Sequence, residues 1–307
     1  RDASWRRCTR SFVFSEGTRQ DTLMNNQNYL SIYAKSFSWA GFFLNKETYQ
    51  KCSDLYTFCR YLDNIADETG ELETKKLKFK EFKNDFKSKN FSNPIIEKMW
   101  KLVADTNIST NIIYDLFDGV ESDLEEKVEL KSEKELLIYS YRVAGTVGLM
   151  MAKILNVKKE SAFKAAIDLG IAMQLTNISR DVIEDKNLNR YYIKSDIKEI
   201  KDTLELAETF YRSCFYYIKD IPFRLRFSIC VARRVYREIG FQIKKKSNFE
   251  EYKNSGKIFV NNFGKIIQTL ISLLDMIKLS LMTNQEIGYT QNKHKIIMEE
   301  INLNERF

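Results

Sequence analysis

Residues 169–185 of this 307-residue chain read LGIAMQLTNISRDVIED, and this stretch carries both a helical pattern and a set of regularly spaced polar residues. Small and apolar residues fill most of it. The polar positions recur at intervals of three and four, which place side chains on one face of an α-helix. These polar residues are Gln174, Asn177, Asp181 and Asp185, and we call them the second stripe because a similar one occurs earlier in the chain. The stretch therefore predicts a helix that presents one polar stripe from an otherwise apolar surface.

A similar stripe occurs more than a hundred residues earlier, in residues 56–68, which read YTFCRYLDNIADE. The residues of this first stripe are Tyr56, Arg60, Asp63 and Asp67. Each stripe ends in two Asp residues four apart, and like charges at that spacing destabilise a helix by a few tenths of a kcal/mol. For one stripe alone, a solvent-exposed edge is an equal alternative. Two such stripes together favour a shared site in which a cation draws the carboxylates together.

The composition predicts an all-α protein. Only 11 Gly and 2 Pro interrupt the 307 residues, and apolar residues recur with the helical period over long segments. Residues 186–198 follow the second stripe directly, and we expect them to form an ordered loop. The predicted helices span residues 26–43, 47–68, 72–89, 94–104, 109–127, 132–156, 159–186, 199–219, 222–247 and 258–281.

The two ends of the chain differ from the rest. Residues 1–23 contain five Arg and no Lys, whereas residues 24–307 contain 11 Arg and 33 Lys. We therefore expect a non-native or disordered leader over residues 1–24. One helical domain is expected over residues 25–282, followed by a polar, frayed tail over residues 283–307.

Several classes of function are disfavoured by what the sequence contains. The only histidine is His294, which argues against His-based zinc sites and against Ser-His or Cys-His nucleophiles. The five cysteines have no CxxC spacing, so we interpret them as reduced thiols of a cytoplasmic protein. The net charge of +7 comes without a nucleic-acid-binding module, so no nucleic-acid partner is expected. A peripheral contact at the inner face of a membrane is compatible with that charge.

The candidate ligands in the two stripes are all oxygen donors. This chemistry favours Mg²⁺ over zinc, and Mg²⁺ usually binds through one or two carboxylates together with substrate phosphates. Arg60, Arg180 and Arg190 could hold phosphate oxygens through bidentate contacts. The pattern therefore indicates cleavage or transfer at a diphosphate.

A third segment, residues 139–151, reads YSYRVAGTVGLMM. Each of its two glycines costs a helix about 1 kcal/mol relative to Ala. Close helix packing would justify that cost, and so would a groove for an apolar ligand. Packing is the commoner reason, and the segment alone does not separate the two.

Taken together, the three segments resemble the squalene/phytoene synthase family of head-to-head prenyltransferases, over roughly residues 28–275. The motifs CRYLDNIADE, YRVAGTVGLMM and LGIAMQLTNISRDVIEDKNLNRYYI occur in the family's order. The resemblance implies an isoprenoid-synthase helical fold around a central apolar cavity. It also implies Mg²⁺, with Mn²⁺ as an alternative, and no nicotinamide cofactor.

The resemblance also implies a role for individual residues. Metal ligands are implied at Asp63, Asp67, Asn177, Asp181 and Asp185, and the four aspartates together with Tyr236 are the implied catalytic residues. The implied substrate-binding residues are Ser36, Phe37, Tyr56, Arg60, Tyr139, Val143, Val147, Gly148, Gln174, Asn177, Arg180, Arg190, Lys257 and Lys265. Asn64, Asn189 and Lys257 depart from residues common in the family, which affects tuning more than activity.

Residues 235–240, VYREIG, are most similar to bacterial members that make 15-cis-phytoene. The expected substrates are therefore two molecules of geranylgeranyl diphosphate, joined by way of prephytoene diphosphate. A dehydrosqualene, squalene or hydroxysqualene-pathway synthase that uses farnesyl diphosphate shares all these motifs and remains an alternative. A non-catalytic family member that acts in assembly or binding is a further alternative. The oligomeric state is left open.

Overall fold

Helices make up nearly all the regular structure of residues 44–67, 70–282 and 290–307, the parts of the chain that this computed structural model describes. The predicted all-α class is confirmed. The predicted leader, the predicted helix over residues 26–43 and the candidate residues Ser36 and Phe37 lie outside the described residues.

The helices follow the predicted order closely. The first six are α1 (Lys46–Asp67), α2 (Leu72–Ser88), α3 (Pro94–Thr106), α4 (Thr110–Glu121), α5 (Glu133–Ser140) and α6 (Thr146–Ile154). The next four are α7 (Glu160–Arg180), α8 (Val182–Asn187), α9 (Ile197–Tyr217) and α10 (Phe223–Lys244). The last three are α11 (Phe249–Asn254), α12 (Asn262–Leu281) and α13 (Gln291–Met298).

An aromatic cluster joins α1, α2 and α4. Phe58 of α1 lies 5.7 Å from Phe86 of α2 and 5.9 Å from Phe117 of α4, measured between ring centroids. All three rings are fully buried, and tilted or edge-to-face pairs of this kind add about 1 kcal/mol each beyond their buried area. This cluster fixes α1, which carries the first polar stripe.

Close backbone contacts position α7, which carries the second stripe. A Cβ atom on Gly170 would lie 2.2 Å from the carbonyl oxygen of Ala144, and one on Gly148 would lie 2.1 Å from that of Ala166. Only glycine permits these approaches. For Gly148, one of the two glycines of residues 139–151, close packing therefore explains the cost of a glycine in a helix. Gly148 and Gly170 also border the cavity described below.

The predicted helix over residues 132–156 is not continuous. A π-helical turn, Tyr141–Gly145, separates α5 from α6. A π turn holds more residues than an α turn, so it offsets the drift of side chains that are spaced four apart. As a result Tyr139, Val143 and Val147 all border the same cavity.

The predicted helix over residues 159–186 is also wrong as a single element. It breaks at Asp181, whose φ of −106° and ψ of 15° leave the helical range. Arg180 folds back onto the Asp181 carboxylate there, with donor–acceptor distances of 2.8 and 2.5 Å. The next helix starts with a hydrogen bond from Asp185 N to Asp181 O. The second stripe is therefore divided between two helices that meet at Asp181.

The predicted loop over residues 186–198 is ordered and contains a short strand. β2 (Arg190–Tyr191) pairs in parallel with β1 (Val128–Glu129). The helix predicted over residues 109–127, just before β1, ends earlier, at Glu121. Two-residue strands carry no readable alternation of apolar and polar residues, so they were not predicted. Their pairing fixes Arg190 near the end of α1.

The expectation of a frayed tail is wrong for residues 290–307. His294 Nε2 lies 2.6 Å from Asp168 Oδ1, and Thr290 Oγ1 donates to Asp168 Oδ2 at 2.9 Å. Arg306 forms two hydrogen bonds to Asp115, at 2.8 and 3.0 Å. The polar composition that indicated a solvated tail instead supplies partners for two buried carboxylates.

We expect Gly170→Ala to destabilise the protein by about 2 kcal/mol or more, because the new methyl group meets backbone that cannot yield. Gly240→Ala is the matched control, since its nearest neighbour is the flexible tip of Leu204 at 3.2 Å. The control should change stability by no more than about 1 kcal/mol, the helix preference of Ala included. Urea unfolding measures both; equal free energies of unfolding would contradict the packing argument.

Candidate active site

A cavity of about 240 Å³ lies between α1, α4, the π turn, α6, α7 and α10. Apolar and small side chains form most of its wall. Cys59 also borders it, and burial, together with nearby Asp63, raises the pKa of this thiol. The group is therefore a neutral thiol that belongs to the apolar wall. The apolar wall residues include Val147, Met151, Leu155, Val157, Leu169 and Ile229.

Polar residues of both stripes border the same cavity. Asp63 and Tyr56 lie on α1, and Gln174 and Asn177 lie on α7. Asp181 lies at the break between α7 and α8, and Asp185 lies on α8. Two stripes that are distant in sequence thus border one cavity, at these six positions. Five further candidate residues also border it: Tyr139, Val143, Val147, Gly148 and Tyr236.

Asp181 is held by two basic side chains. Besides Arg180, Lys257 lies 3.1 Å from it and also contacts Glu184 at 2.7 Å. Burial alone would raise the pKa of Asp181, but the charges of Arg180 and Lys257 outweigh it and lower that pKa to about 2. Tyr252 donates to the carbonyl oxygens of Ser179 and Arg180 and so holds the turn from the other side. Asp181 is therefore an anion in a fixed position.

A buried ion pair joins the two stripes at their ends. Arg190 Nη1 donates to Asp67 Oδ1 at 2.8 Å, and both side chains are less than a tenth exposed. Arg190 Nη2 also donates to the Ala66 carbonyl. Because Arg190 follows Asp185 by only five residues, this pair holds the carboxylate end of α1 beside that of α7 and α8.

The five predicted basic residues are not among the residues that border the cavity. Arg180 is engaged by Asp181, Arg190 by Asp67, and Lys257 by Asp181 and Glu184. Arg60 and Lys265 are buried, at 7% exposure each. Asp67 likewise does not border the cavity. Contact of these residues with substrate phosphates stays a prediction.

Asp123 was missed by the sequence analysis although it borders the cavity. Tyr139 donates to its Oδ2 at 2.9 Å and Tyr192 to its Oδ1 at 2.5 Å, while its carbonyl accepts from Arg190. The two tyrosine rings stack with centroids 4.6 Å apart. No local pattern marks Asp123, because its partners lie 16 and 69 residues away.

The donor atoms fit a magnesium ion held jointly with a substrate. Asn177 Oδ1 is buried beside Asp181 and Asp185 and has no hydrogen-bond partner among the described residues. No three His, Cys, Asp or Glu side chains converge as a complete metal site within residues 44–67, 70–282 and 290–307. Mg²⁺ typically takes one or two carboxylates and completes its shell with water and phosphate oxygens. The available oxygen donors match that mode of binding.

Comparison with known proteins gives consistent similarities. Residues 30–199 match the squalene/phytoene synthase family. A phytoene synthase from Pseudescherichia vulneris is 28% identical over 244 residues, which are 69% of this chain and 79% of that protein. A 15-cis-phytoene synthase from Paracoccus sp. is 37% identical over 149 residues, 43% of this chain and 49% of that protein.

Solved structures share the fold. A dehydrosqualene synthase superposes with a TM-score of 0.68 at 23% identity, covering 81% of this chain and 94% of that one. A squalene synthase from Alicyclobacillus acidocaldarius superposes with a TM-score of 0.60 at 17% identity, covering 73% of this chain and 91% of that one. At these identities the likeness establishes an isoprenoid-synthase type of fold and nothing finer.

We expect Asp123→Asn to lower the free energy of unfolding by about 2 kcal/mol, because two buried tyrosine hydroxyls lose a charged acceptor. Asp118→Asn is the matched control: this carboxylate is about half exposed and pairs with Lys83 at the surface, so its loss should cost less than about 1 kcal/mol. Urea unfolding of both variants checks the difference. Equal effects would show that the Asp123 hydrogen bonds contribute no more than a surface pair.

Proposed function

The chain belongs to the squalene/phytoene synthase family of prenyltransferases, and on that premise we propose that it makes 15-cis-phytoene from two molecules of geranylgeranyl diphosphate. Support comes from relatives such as the proteins of Pseudescherichia vulneris and Paracoccus named above. The proposal concerns the substrate and the product; membership of the enzyme family is established by the match over more than half of the chain.

The observation that carries the proposal is the division of the cavity into a carboxylate-rich part and an apolar part. A prenyl diphosphate has the same division, with a charged head and a long hydrocarbon tail. Asp63, Asp181 and Asp185 come together at the end where Arg190 joins α1 to the segment after α8. Apolar residues of α6 and α7 form the remaining wall, which excludes water from a reacting allylic cation.

Asp63, Asp67, Asn177, Asp181 and Asp185 are the residues that would hold magnesium, or manganese in its place. Bound there, the metal supplies positive charge that stabilises pyrophosphate as a leaving group. The protein's own part is electrostatic. Arg180 and Lys257 keep Asp181 ionised and fixed, so the site presents anionic ligands without a reorganisation cost.

The proposed reaction balances without a reductant. In the first half, one substrate loses pyrophosphate, its C1 bonds to the double bond of the other substrate, and loss of a proton closes a cyclopropane to give prephytoene diphosphate. In the second half, this intermediate loses its own pyrophosphate and rearranges, and a second proton is lost to form the central double bond. Two pyrophosphates and two protons are released in total. A nicotinamide cofactor is therefore not needed for this product.

The proposed reaction needs a proton acceptor in the cavity. The only histidine, His294, is bound to Asp168 and is not among the residues that border the cavity. A released pyrophosphate, held near the carboxylates, is then the base that we propose. Tyr236 borders the cavity on α10 and is 7% exposed, a position from which its hydroxyl can assist proton transfer.

The rival reaction uses farnesyl diphosphate and gives a C30 product. The same carboxylates would serve it, and the fold shared with a dehydrosqualene synthase accommodates it. The difference lies in how much apolar chain the cavity accepts. Met151, Leu155 and Val157 border the cavity near the end of α6, and we propose that they set this length.

Product analysis tests the proposal directly. We expect the purified protein with Mg²⁺ and C20 diphosphate to give 15-cis-phytoene, without NADPH, because the reaction needs no hydride. Parallel incubations use C15 diphosphate, each with and without NADPH, and the lipids are analysed by chromatography and mass spectrometry. A C30 product from the C15 substrate with no C40 product from the C20 substrate would overturn the proposed substrate.

We expect Asp181→Asn to lower kcat at least about 100-fold, because the site loses a fixed anionic ligand. Asp118→Asn again serves as the control and should keep full activity. Circular dichroism confirms that both variants are folded, and a chelator should abolish turnover of the unchanged protein. Full activity of folded Asp181→Asn would instead support a family member that does not use this site for catalysis.

A further inference from the structure

Helix α12 carries its apolar residues on the outside. Phe263 is 71% exposed, Leu270 59%, Leu274 63% and Leu281 79%. With Ile266 and Ile277 they recur at intervals of three and four, so they form one continuous stripe along the helix. We call these six residues the outer face of α12. By the pitch of an α-helix, the stripe is about 27 Å long.

The opposite side of α12, which packs on the protein, is mostly polar: three of its four buried residues are Lys265, Ser272 and Asp275, and the fourth is Leu279. Asp275 is buried and accepts two hydrogen bonds from Arg234 of α10, at 2.5 and 2.7 Å. Gln268 donates to Glu238 of α10 at 3.0 Å, and Ser272 is fully buried. A helix at a water-facing surface has the reverse arrangement, with apolar residues turned toward the core. The outer face is therefore built to be covered, since contiguous apolar patches of this size mark interaction sites.

Charge around the outer face favours an anionic partner. The two acidic residues of α10 and α12, Glu238 and Asp275, are not exposed. Most basic residues of these helices are buried or paired with carboxylates, so the charge that faces solvent comes from the exposed basic residues named next. Lys278 on α12 and Arg224 at the start of α10 are both exposed, and Phe223 beside Arg224 is 66% exposed. Exposed aromatic and aliphatic residues combined with Lys and Arg are the composition of surfaces that lie in the interface of anionic membranes.

Apolar contact is continuous from the cavity to α12. Ile218, Ile221 and Ile229 border the cavity, and they also belong to or pack against a buried cluster that contains Leu279 of α12. Met276 of α12 packs on the same cluster. A hydrocarbon formed in the cavity thus has an apolar neighbourhood that reaches the helix carrying the outer face.

We propose that the outer face of α12 docks on the surface of an anionic phospholipid bilayer, with the helix lying along the membrane plane. No helix within the described residues is long and apolar enough to cross a membrane. The reason for docking rests on the proposed function: a C40 hydrocarbon leaves the cavity next to lipid and not into water. The docking itself is measurable without turnover.

Vesicle flotation of the full chain tests the proposal. The unchanged protein should float with vesicles of phosphatidylcholine and phosphatidylglycerol, and much less with phosphatidylcholine alone. The double variant Leu270→Glu/Leu274→Glu should lower partitioning onto the anionic vesicles at least tenfold, because it puts two charges in the stripe. Leu77→Glu is the matched control: Leu77 is 60% exposed on α2, outside the stripe, and its replacement should change nothing.

Three results would overturn the proposal. The first is an unchanged protein that stays at the bottom of the gradient with every vesicle. The second is a double variant that floats as well as the unchanged protein. The third is a stripe covered by a second copy of the protein instead of lipid: light scattering would then show a dimer that the double variant dissociates, without flotation.

The failure of docking is distinguishable from the failure of the proposed function. In detergent micelles the double variant should keep the turnover of the unchanged protein, because its changes lie outside the cavity wall. Flotation without any phytoene would retain the membrane surface and reject the substrate. Phytoene without flotation would do the opposite.

Discussion

The backbone contact between α7 and the segment Ala144–Gly148 determines where the rest of the site can be. Gly148 and Gly170 allow two helical segments to approach until carbonyl oxygens lie where a side chain would otherwise begin. That approach turns the apolar flank of α7 inward against its neighbours and leaves its polar stripe facing the remaining space. The cavity is the volume that α1 and α10 cannot fill once these backbones are in contact, so its shape is determined by glycine packing as much as by any polar residue.

Electrostatics then orders the carboxylate end. Asp181 is compensated by Arg180 and Lys257, and Asp67 by Arg190, so the buried anions do not carry their full desolvation cost. The same arrangement explains why the basic residues lie behind the carboxylates. They neutralise Asp181 and Asp67 by direct contact, while Asp63, Asp181 and Asp185 remain among the residues that border the cavity. Helix packing and charge compensation thus produce one site from segments more than a hundred residues apart.

Those features that repeat along the chain were predictable from the sequence. The two stripes and the helices that carry them follow from spacing, and the meeting of Asp63 with Asp181 follows from the need of two polar stripes for a common environment. The π turn at Tyr141–Gly145 and the break at Asp181 were not predictable, because each depends on tertiary contacts at one residue. Asp123 has its partners in two other elements, and no local pattern records them. The polar tail was mispredicted for the same reason: composition does not show that His294 and Arg306 bind buried carboxylates of distant helices.

The contact between Asp168 and His294 has a consequence for how the protein is made. Asp168 lies on α7 and is almost completely buried, yet its histidine partner is synthesised 126 residues later. Until the C-terminal segment emerges from the ribosome, the helix that carries Asn177 would have to bury a carboxylate without its imidazole, which is unfavourable. The final packing of α7 is therefore coupled to the docking of residues 290–294, although the two segments are far apart in the sequence.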